Sequence, residues 1–399
     1  MTAPDYQAIR QHMATVGLVA LVTTGRTGTD FFQSLMDGHP QVFGFTGQYH
    51  FNWFWEQSAC ARSGLPIEAG DIADEFIGLM LYRFRTRYDA IERKGELGEN
   101  RDSEVDVDRT AFRRHLVALL DGVEITPKTF LPASYAAFAL ARGEDPLERR
   151  IILHHAHRIR GIAPLLRDFP EARVICMIRD YRANYVSGVE NWRRHEPATD
   201  NPSYPVYIIW RAVDEANALA SLPADRLRAL RLEDLGSRDV LAEIAGWLGI
   251  DFDDCLTRST WGGLRWWGDR ISVNSPKTEE TGFSPTMISN SWRKKLGRLD
   301  IFVLDSILEP QLRHYGYLEA PPGSRLRDLL AAAAILLPTC YERRYLAPKR
   351  VFAMLRRADI KGLLRLAWHP LRRIVLFYRW LARKLAGKVF LMTRFGSGG

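Results

Sequence analysis

Three consecutive pieces of sequence decide the reading of the fold: GLVALVT (17–23), TGRTGT (24–29) and DFFQSLMD (30–37). The first is a short, continuous apolar run, the pattern of a strand buried on both faces of a parallel sheet. The second carries two glycines in six residues, which marks a turn. In the third, Phe31 and Leu35, with Phe32 and Met36, recur at helical spacing. The unit is therefore strand, turn, helix. In such a unit the glycines let the backbone approach a ligand closely, and the helix N-terminus presents unpaired N–H groups at the positive end of its dipole. Arg26 adds a planar charge and Thr27 and Thr29 add hydroxyls, a set that suits a tetrahedral oxyanion. The plainer alternative is an ordinary turn in which glycine eases packing and threonine caps the helix.

Outward from this unit the pattern repeats. Ala172–Ile178 (ARVICMI) is a second buried strand, followed by Arg179-Asp180 and a helix over Arg182–Arg194. Leu227–Leu232 is a third strand ending in Glu233-Asp234, and Asp239–Leu248 a helix closed by Gly249. Gly262–Ser291 reads as a long loop, and Trp292–Tyr315 as helix stopped by Gly316. Short apolar runs alternating with helical stretches predict an α/β fold: a P-loop-like core with a mainly parallel sheet flanked by helices. No repeat or low-complexity segment interrupts it.

Composition sets outer limits. The 399 residues are 46% hydrophobic and 26% charged, with length for a large core, which excludes wholesale disorder. Four scattered cysteines without a C-x-x-C pair argue against a disulfide framework or clustered zinc and for a reducing compartment. The stretch from Met1 to Gly17 has no apolar signal core. The longest wholly apolar run, Leu329–Leu337, falls well short of the roughly 20 residues a spanning helix needs. The expected location is cytoplasmic.

The net charge of +8 hides an asymmetry. From Arg325 onward 17 Lys and Arg face only Asp328, Glu342 and Asp359, a net of +14, leaving −6 for the preceding 324 residues. Pro321-Pro322-Gly323 sits at the break, so residues 1–320 read as the α/β domain and 321–399 as a basic helical extension. In that extension Arg343, Arg344, Arg356, Arg357, Arg372, Arg373 and others interleave with bulky apolar residues. This predicts amphipathic helices suited to an anionic membrane surface through 325–395, placing the protein peripherally on the cytoplasmic face. The alternatives are a helical subdomain packed on the acidic body, or a nucleic-acid-binding tail. So many bulky apolar residues disfavour the last, and no nucleic-acid partner is expected.

A nucleotide triphosphatase loop would continue G-x-x-x-x-G-K-[ST], but Thr29 follows Gly28. Instead TTGRTGTDFFQSLMDGHPQV (23–42) resembles the 5′-phosphosulfate loop of sulfotransferases that use 3′-phosphoadenosine 5′-phosphosulfate (PAPS), in the bacterial-type branch that reads R-[ST]-G-T…L…HP. Phe169-Pro170-Glu171-Ala172-Arg173, with Arg179-Asp180-Tyr181-Arg182-Ala183 and Ser187, is similar to the family's F-P-x-A-[RK]…R-D-P-R-A…S segment. Leu232-Glu233-Asp234-Leu235, Trp292-Arg293 and Tyr315-Gly316-Tyr317 resemble its later segments, in order, over roughly 17–320. Three departures stand out: Tyr181 replaces the usual proline, Asp30 follows the loop where many members are neutral, and Arg26 stands where the cytosolic branch has lysine.

The resemblance implies sulfuryl transfer from PAPS to an acceptor hydroxyl, on a glycan, glycolipid or other membrane-associated molecule. The moving SO₃-like group carries less charge than a phosphoryl, so cationic side chains suffice and no metal is expected. Arg26 is implied at the bridging and sulfuryl oxygens. Gly25, Arg26, Thr27, Gly28, Thr29 and Asp30 are implied around the 5′-phosphate, and Arg179 and Ser187 around the 3′-phosphate, with Arg293, Lys294 and Lys277 as further candidates. For Arg179 the competing reading is a strand-end arginine paired with Asp180. The base stays open. His154-His155-Ala156-His157 offers three imidazoles, and in an extended chain His155 points away from His154 while His157 shares its side. His155 and His157 are favoured, with His50 and then Glu56 behind them. The aromatic run Tyr49–Trp55, with Trp261, Trp266 and Trp267, is either an acceptor pocket or core. The alternatives to transfer are a membrane-recruited nucleotide-binding scaffold without turnover and a P-loop kinase using ATP.

Overall fold

Alternation along each predicted strand shows why the sheet is buried. In the computed structural model, which describes residues 4–81, 95–195, 203–268, 282–288, 291–319 and 323–396, Gly17–Thr23 forms β1. Leu18, Ala20 and Val22 enter one hydrophobic core and Val19 and Leu21 enter another. Two-residue periodicity thus sends successive side chains to opposite faces, both covered by helices. β2 (Val42–Phe43), β3 (Ile151–Arg158), β4 (Arg173–Ile178) and β5 (Leu227–Arg231) complete a five-stranded sheet in the order β2-β3-β1-β4-β5, every pairing parallel. From β1 the chain first crosses to the edge at β2 and returns through β3 beside β1, then runs outward through β4 and β5 on the other side. The carboxyl end of β1 is consequently the switch point where ligands bind in open α/β sheets.

The expected elements hold, with shifts at their ends: helices over Thr29–Met36, Tyr181–His195 and Arg238–Leu248, the last closed by Gly249 at φ 74°. The single helix expected over Trp292–Tyr315 is three pieces, Trp292–Lys295, Arg298–Ile307 and Glu309–His314, with breaks at Gly297 and at Leu308 before Pro310. The middle of the expected 262–291 loop, including Lys277, lies outside the described residues, as do residues 320–322 at the charge break. A short antiparallel hairpin, Thr260–Trp261 with Leu264–Arg265, opens that loop.

The aromatic residues are mostly core. Tyr49, Phe51 and Phe54 are wholly buried and pack edge-on with Phe45, Phe76 and His154. Trp261 and Trp266 are buried against each other in the second core. Trp267 is sandwiched by Arg265 and Arg101. Cys60, Cys176, Cys255 and Cys340 are free thiols.

The basic region packs on the body through one face. Its 26-residue helix, Ile360–Leu385, places Leu376, Phe377, Trp380 and Leu381 in the main core. Arg379 and Arg383 both engage Asp214 of the body, and Lys384 reaches Glu309 at 2.6 Å. The chain then returns along the edge of β5. Ala229 donates to the Thr393 carbonyl at 2.8 Å, and Phe395 donates back to the Ala229 carbonyl at 3.1 Å. This segment covers the sheet edge.

Arg373 and Glu342 form an ion pair at 2.7 Å, both nearly inaccessible to water, and Arg373 also donates to the Ile335 and Leu337 carbonyls. Removing one member leaves a buried charge uncompensated. Arg373→Ala is expected to lower the unfolding free energy by about 3–5 kcal/mol in urea denaturation, and a loss under about 1 kcal/mol would show that the pair does not hold these helices.

Candidate functional site

The β1 turn folds as it does because its glycines permit it. Gly25, Arg26 and Gly28 have φ of 99°, 53° and 84°, so three of four consecutive residues are left-handed. For Arg26, a non-glycine, this costs about 1–2 kcal/mol, a strain that the surroundings must impose. A Cβ on Gly25 would stand 2.8 Å from Nη1 of Arg211, and one on Gly28 would stand 2.5 Å from a Leu232 methyl. Inside the turn Gly25 N–H donates to the Thr23 hydroxyl at 2.8 Å, and the Thr23 and Thr27 hydroxyls meet at 2.5 Å. Asn184 donates to the Gly25 carbonyl at 2.7 Å. Gly28 is the N-cap of the Thr29–Met36 helix, and no side chain caps the turn it begins. Its first-turn N–H groups are therefore a ready anion site.

Cations gather around this turn. Arg179, at the end of β4, is buried, donates from Nη2 to the Met287 carbonyl at 2.8 Å, and has no hydrogen-bond partner for Nε among the described residues. Burial pulls its pKa down; the nearby Arg26 adds to that shift and Glu233 opposes it. Asp180 is not the partner of Arg179. It takes a bidentate grip from Arg182 at 2.8 and 2.9 Å, and Arg182 also reaches Asp305 and the face of Trp292. Glu233, at the end of β5, accepts from Asp180 N–H at 3.3 Å and from the Tyr317 hydroxyl at 2.9 Å, and burial raises its pKa. A third arginine was not singled out from the sequence. Arg211 lies on a π-helical turn, Arg211–Glu215, pairs with Glu215 at 3.1 Å and leans on Gly25. Such turns are frequent at functional sites, but nothing local in the sequence announces this one.

The histidines split as an extended chain requires. His154 faces the core, with Nδ1 3.0 Å from the Tyr135 hydroxyl, and burial drives its pKa down to about 3. His155 and His157 share the other side despite a register shift that leaves Ala156 unpaired and puts His157 at φ 62°. The Gln33 amide nitrogen donates to the Phe45 carbonyl at 2.5 Å, which fixes its oxygen toward His155 Nδ1, also at 2.5 Å. His155 Nδ1 therefore carries a proton and Nε2 is left to accept from His157 Nδ1 at 3.2 Å. The bare nitrogen at the end of this chain is His157 Nε2. Burial lowers the His157 pKa to about 4, helped by Arg211, His50 and Arg158 and opposed by Asp30. Asp30 turns its carboxylate toward the histidines, 3.8 Å from His155 Nδ1. An acid in the first helical turn is thus employed there.

The remaining sequence candidates sit further out. His50 stands half-buried at the N-cap position of the Phe51–Gln57 helix without a side-chain capping bond, within electrostatic range of His154 and His157. Glu56 is exposed on that helix. Ser187 is half-buried on Tyr181–His195. Arg293 and Lys294 are exposed on Trp292–Lys295, where Arg293 stacks on Trp292. Among the described residues no group of three metal-ligating side chains converges.

No family model and no curated protein matches the chain. Among solved structures it is similar to the sulfotransferase domain from the curacin biosynthetic pathway, with 13% identity and a TM-score of 0.42 over 80% of this chain and 96% of that one. A second is the sulfotransferase domain from the Synechococcus PCC 7002 olefin synthase, with 16% identity and a TM-score of 0.36 over 81% and 96%. A third is the sulfotransferase STF1 from Mycobacterium tuberculosis H37Rv, with 14% identity and a TM-score of 0.34 over 63% and 73%. At these values the chemistry has to be argued from this chain's own residues.

The lowered His154 and His157 pKa values make a pH prediction. Unfolded histidine binds its proton near 6.5 and the folded residues only near 3 and 4. The unfolded state therefore holds more protons between those values, and stability should fall as pH drops from about 6.5 toward 4. Denaturation across that range should show the slope, and His157→Gln should flatten it; an unchanged slope would mean His157 is protonated in the fold.

Proposed function

We propose that this protein is a PAPS-dependent sulfotransferase. The observation that carries the reading is the convergence of Arg26 and the buried Arg179 at a left-handed glycine turn, beside the His155–His157 imidazole pair, whose nitrogens stand 3.2 Å apart. Like charges collected in low dielectric repel, and an anionic ligand relieves them. Arg179 Nε, a donor with no partner among the described residues, fits such a ligand.

The donor supplies a sulfuryl group joined to a phosphate through an anhydride oxygen. In the proposed arrangement the backbone amides of Thr27, Gly28, Thr29 and Asp30 hold the 5′-phosphate, while Arg179 and Ser187 hold the 3′-phosphate. Arg26, on the turn itself, neutralises charge growing on the oxygen that leaves. His157 Nε2 takes the acceptor proton as the acceptor oxygen bonds to sulfur. A base of low pKa suits a hydroxyl that becomes acidic only as that bond forms. His155 and Gln33 hold the tautomer, and Asp30 steadies the imidazolium that results. Arg211 positions the turn through its contact with Gly25.

The acceptor in this reading is a hydroxyl on a glycan or lipid-linked molecule. With Tyr49, Phe51, Phe54, Trp261 and Trp266 in the core, support for a membrane-associated acceptor comes from the C-terminal helices.

The test is transfer of label from ³⁵S-PAPS to a pool of membrane glycolipids and glycans. Wild type should transfer without added metal. His157→Gln should lose about 10²–10⁴-fold in rate with donor affinity kept, and Arg26→Ala should lose rate as well. Donor binding with no transfer to any acceptor would favour the nucleotide-binding scaffold. Dependence on Mg²⁺ and ATP would favour the kinase.

A further inference from the structure

The Ile360–Leu385 helix has two faces, and only one is used. Buried Leu366, His369, Arg373, Leu376, Phe377, Trp380 and Leu381 form its inner face. On the outer face Ile360, Leu364, Trp368, Leu371 and Val375 recur at steps of four, four, three and four, a single helical stripe, and each is more than half exposed, Trp368 by 58%. Scattered exposed apolar residues mean little, but a stripe of large ones on one helix marks an interaction surface. The neighbouring helices extend it. Pro348–Arg356 adds Phe352 and Leu355, and Arg325–Ile335, which also packs on the long helix, adds Leu326, Leu329 and Leu330, all more than half exposed.

The charge beside the stripe separates the occupants. Lys361, Arg365 and Arg372 fall along one flank of it, exposed, and no ion pair engages them among the described residues. Farther along that flank Arg379 and Arg383 are already spent on Asp214. A second copy docking through this face would set these cations against their own duplicates, since a two-fold interface is self-complementary. A protein partner would need a matching acidic rim around an apolar centre. An anionic bilayer surface offers both at once: acyl chains for the stripe and phosphate for the rail. No described helix is long and apolar enough to cross a membrane, so the contact would be in-plane.

We propose that the outer face of Ile360–Leu385, with its two neighbouring helices, docks the protein on an anionic lipid surface. The stripe enters the headgroup boundary, and Lys361, Arg365 and Arg372 meet lipid phosphates. This holds whether or not the proposed transfer chemistry is right, and its test makes no use of activity.

The full chain is sedimented with vesicles of phosphatidylcholine, with and without phosphatidylserine. Binding is expected to the mixed vesicles only and to weaken with salt. Lys361→Gln/Arg365→Gln/Arg372→Gln should lower the partition coefficient about a hundredfold, taking each surface cation at its usual worth. Leu364→Gln/Trp368→Gln should abolish binding while the circular-dichroism melt stays that of wild type, since these side chains are outside the core. Failure to bind phosphatidylserine vesicles, or binding that survives both variants, would overturn the proposal. So would a dimer in sedimentation velocity that Leu364→Gln/Trp368→Gln converts to monomer with no change in vesicle binding.

Discussion

Everything at the site depends on the backbone between Thr23 and Thr29 being held left-handed at Gly25, Arg26 and Gly28. Two side chains from distant parts of the chain leave room only for glycine at Gly25 and Gly28. Leu232, just beyond β5, occupies the space a Cβ on Gly28 would need, and the Arg211 guanidinium does the same at Gly25. Only glycine therefore fits at those two positions, and Arg26 between them takes the left-handed conformation at a cost. The turn also determines what the neighbouring strands present. With β1 in the middle, the ends of β3 and β4 flank it and β5 lies one strand beyond, so an imidazole pair, an arginine and an acid arrive around one short loop.

The charges around that loop are organised in two sets. Arg182, Asp180 and Asp305 satisfy one another, with Trp292 beneath the guanidinium, and lock the start of the Tyr181–His195 helix. Arg179 stands apart from that set, with Arg26 close enough to lower its pKa further. Glu233 offsets them in part, but its oxygens are committed to the Asp180 amide and the Tyr317 hydroxyl. A buried guanidinium held mainly by a carbonyl is a poor arrangement for stability alone. It becomes a good one when an anion completes it.

How far the sequence carried depends on whether the signal was local. β1, the turn, the following helix, β4 and β5 are apolar runs bounded by turn residues, and they read directly. Two-residue periodicity parts His154 from His155, while the bulge at Ala156 that accompanies the approach of His157 to His155 has no local signature. Arg211 did not show, because its approach to Gly25 spans 186 positions and its π-helical turn has no sequence signature. β2, two residues long, and Gln33, an ordinary helix residue that fixes the His155 tautomer, were silent for the same reason. The aromatic run was ambiguous by composition, and packing assigned it to the core. The basic region reads as amphipathic, which is correct of its long helix, but only the fold shows that Arg379, Arg383 and Lys384 are already matched to Asp214 and Glu309.

On the proposed function, the glycine turn and its arginines form a site for a 3′-phosphorylated adenine nucleotide. Calorimetric titration of the full chain with 3′-phosphoadenosine 5′-phosphate in a chelating buffer, beside Mg-ATP, tests it most directly. The expected result is tight, metal-free binding that Arg179→Ala weakens by about 10–150-fold, the range for losing a charge-assisted hydrogen bond, and weaker binding of Mg-ATP. No binding of the bisphosphate, or a preference for Mg-ATP, would contradict it.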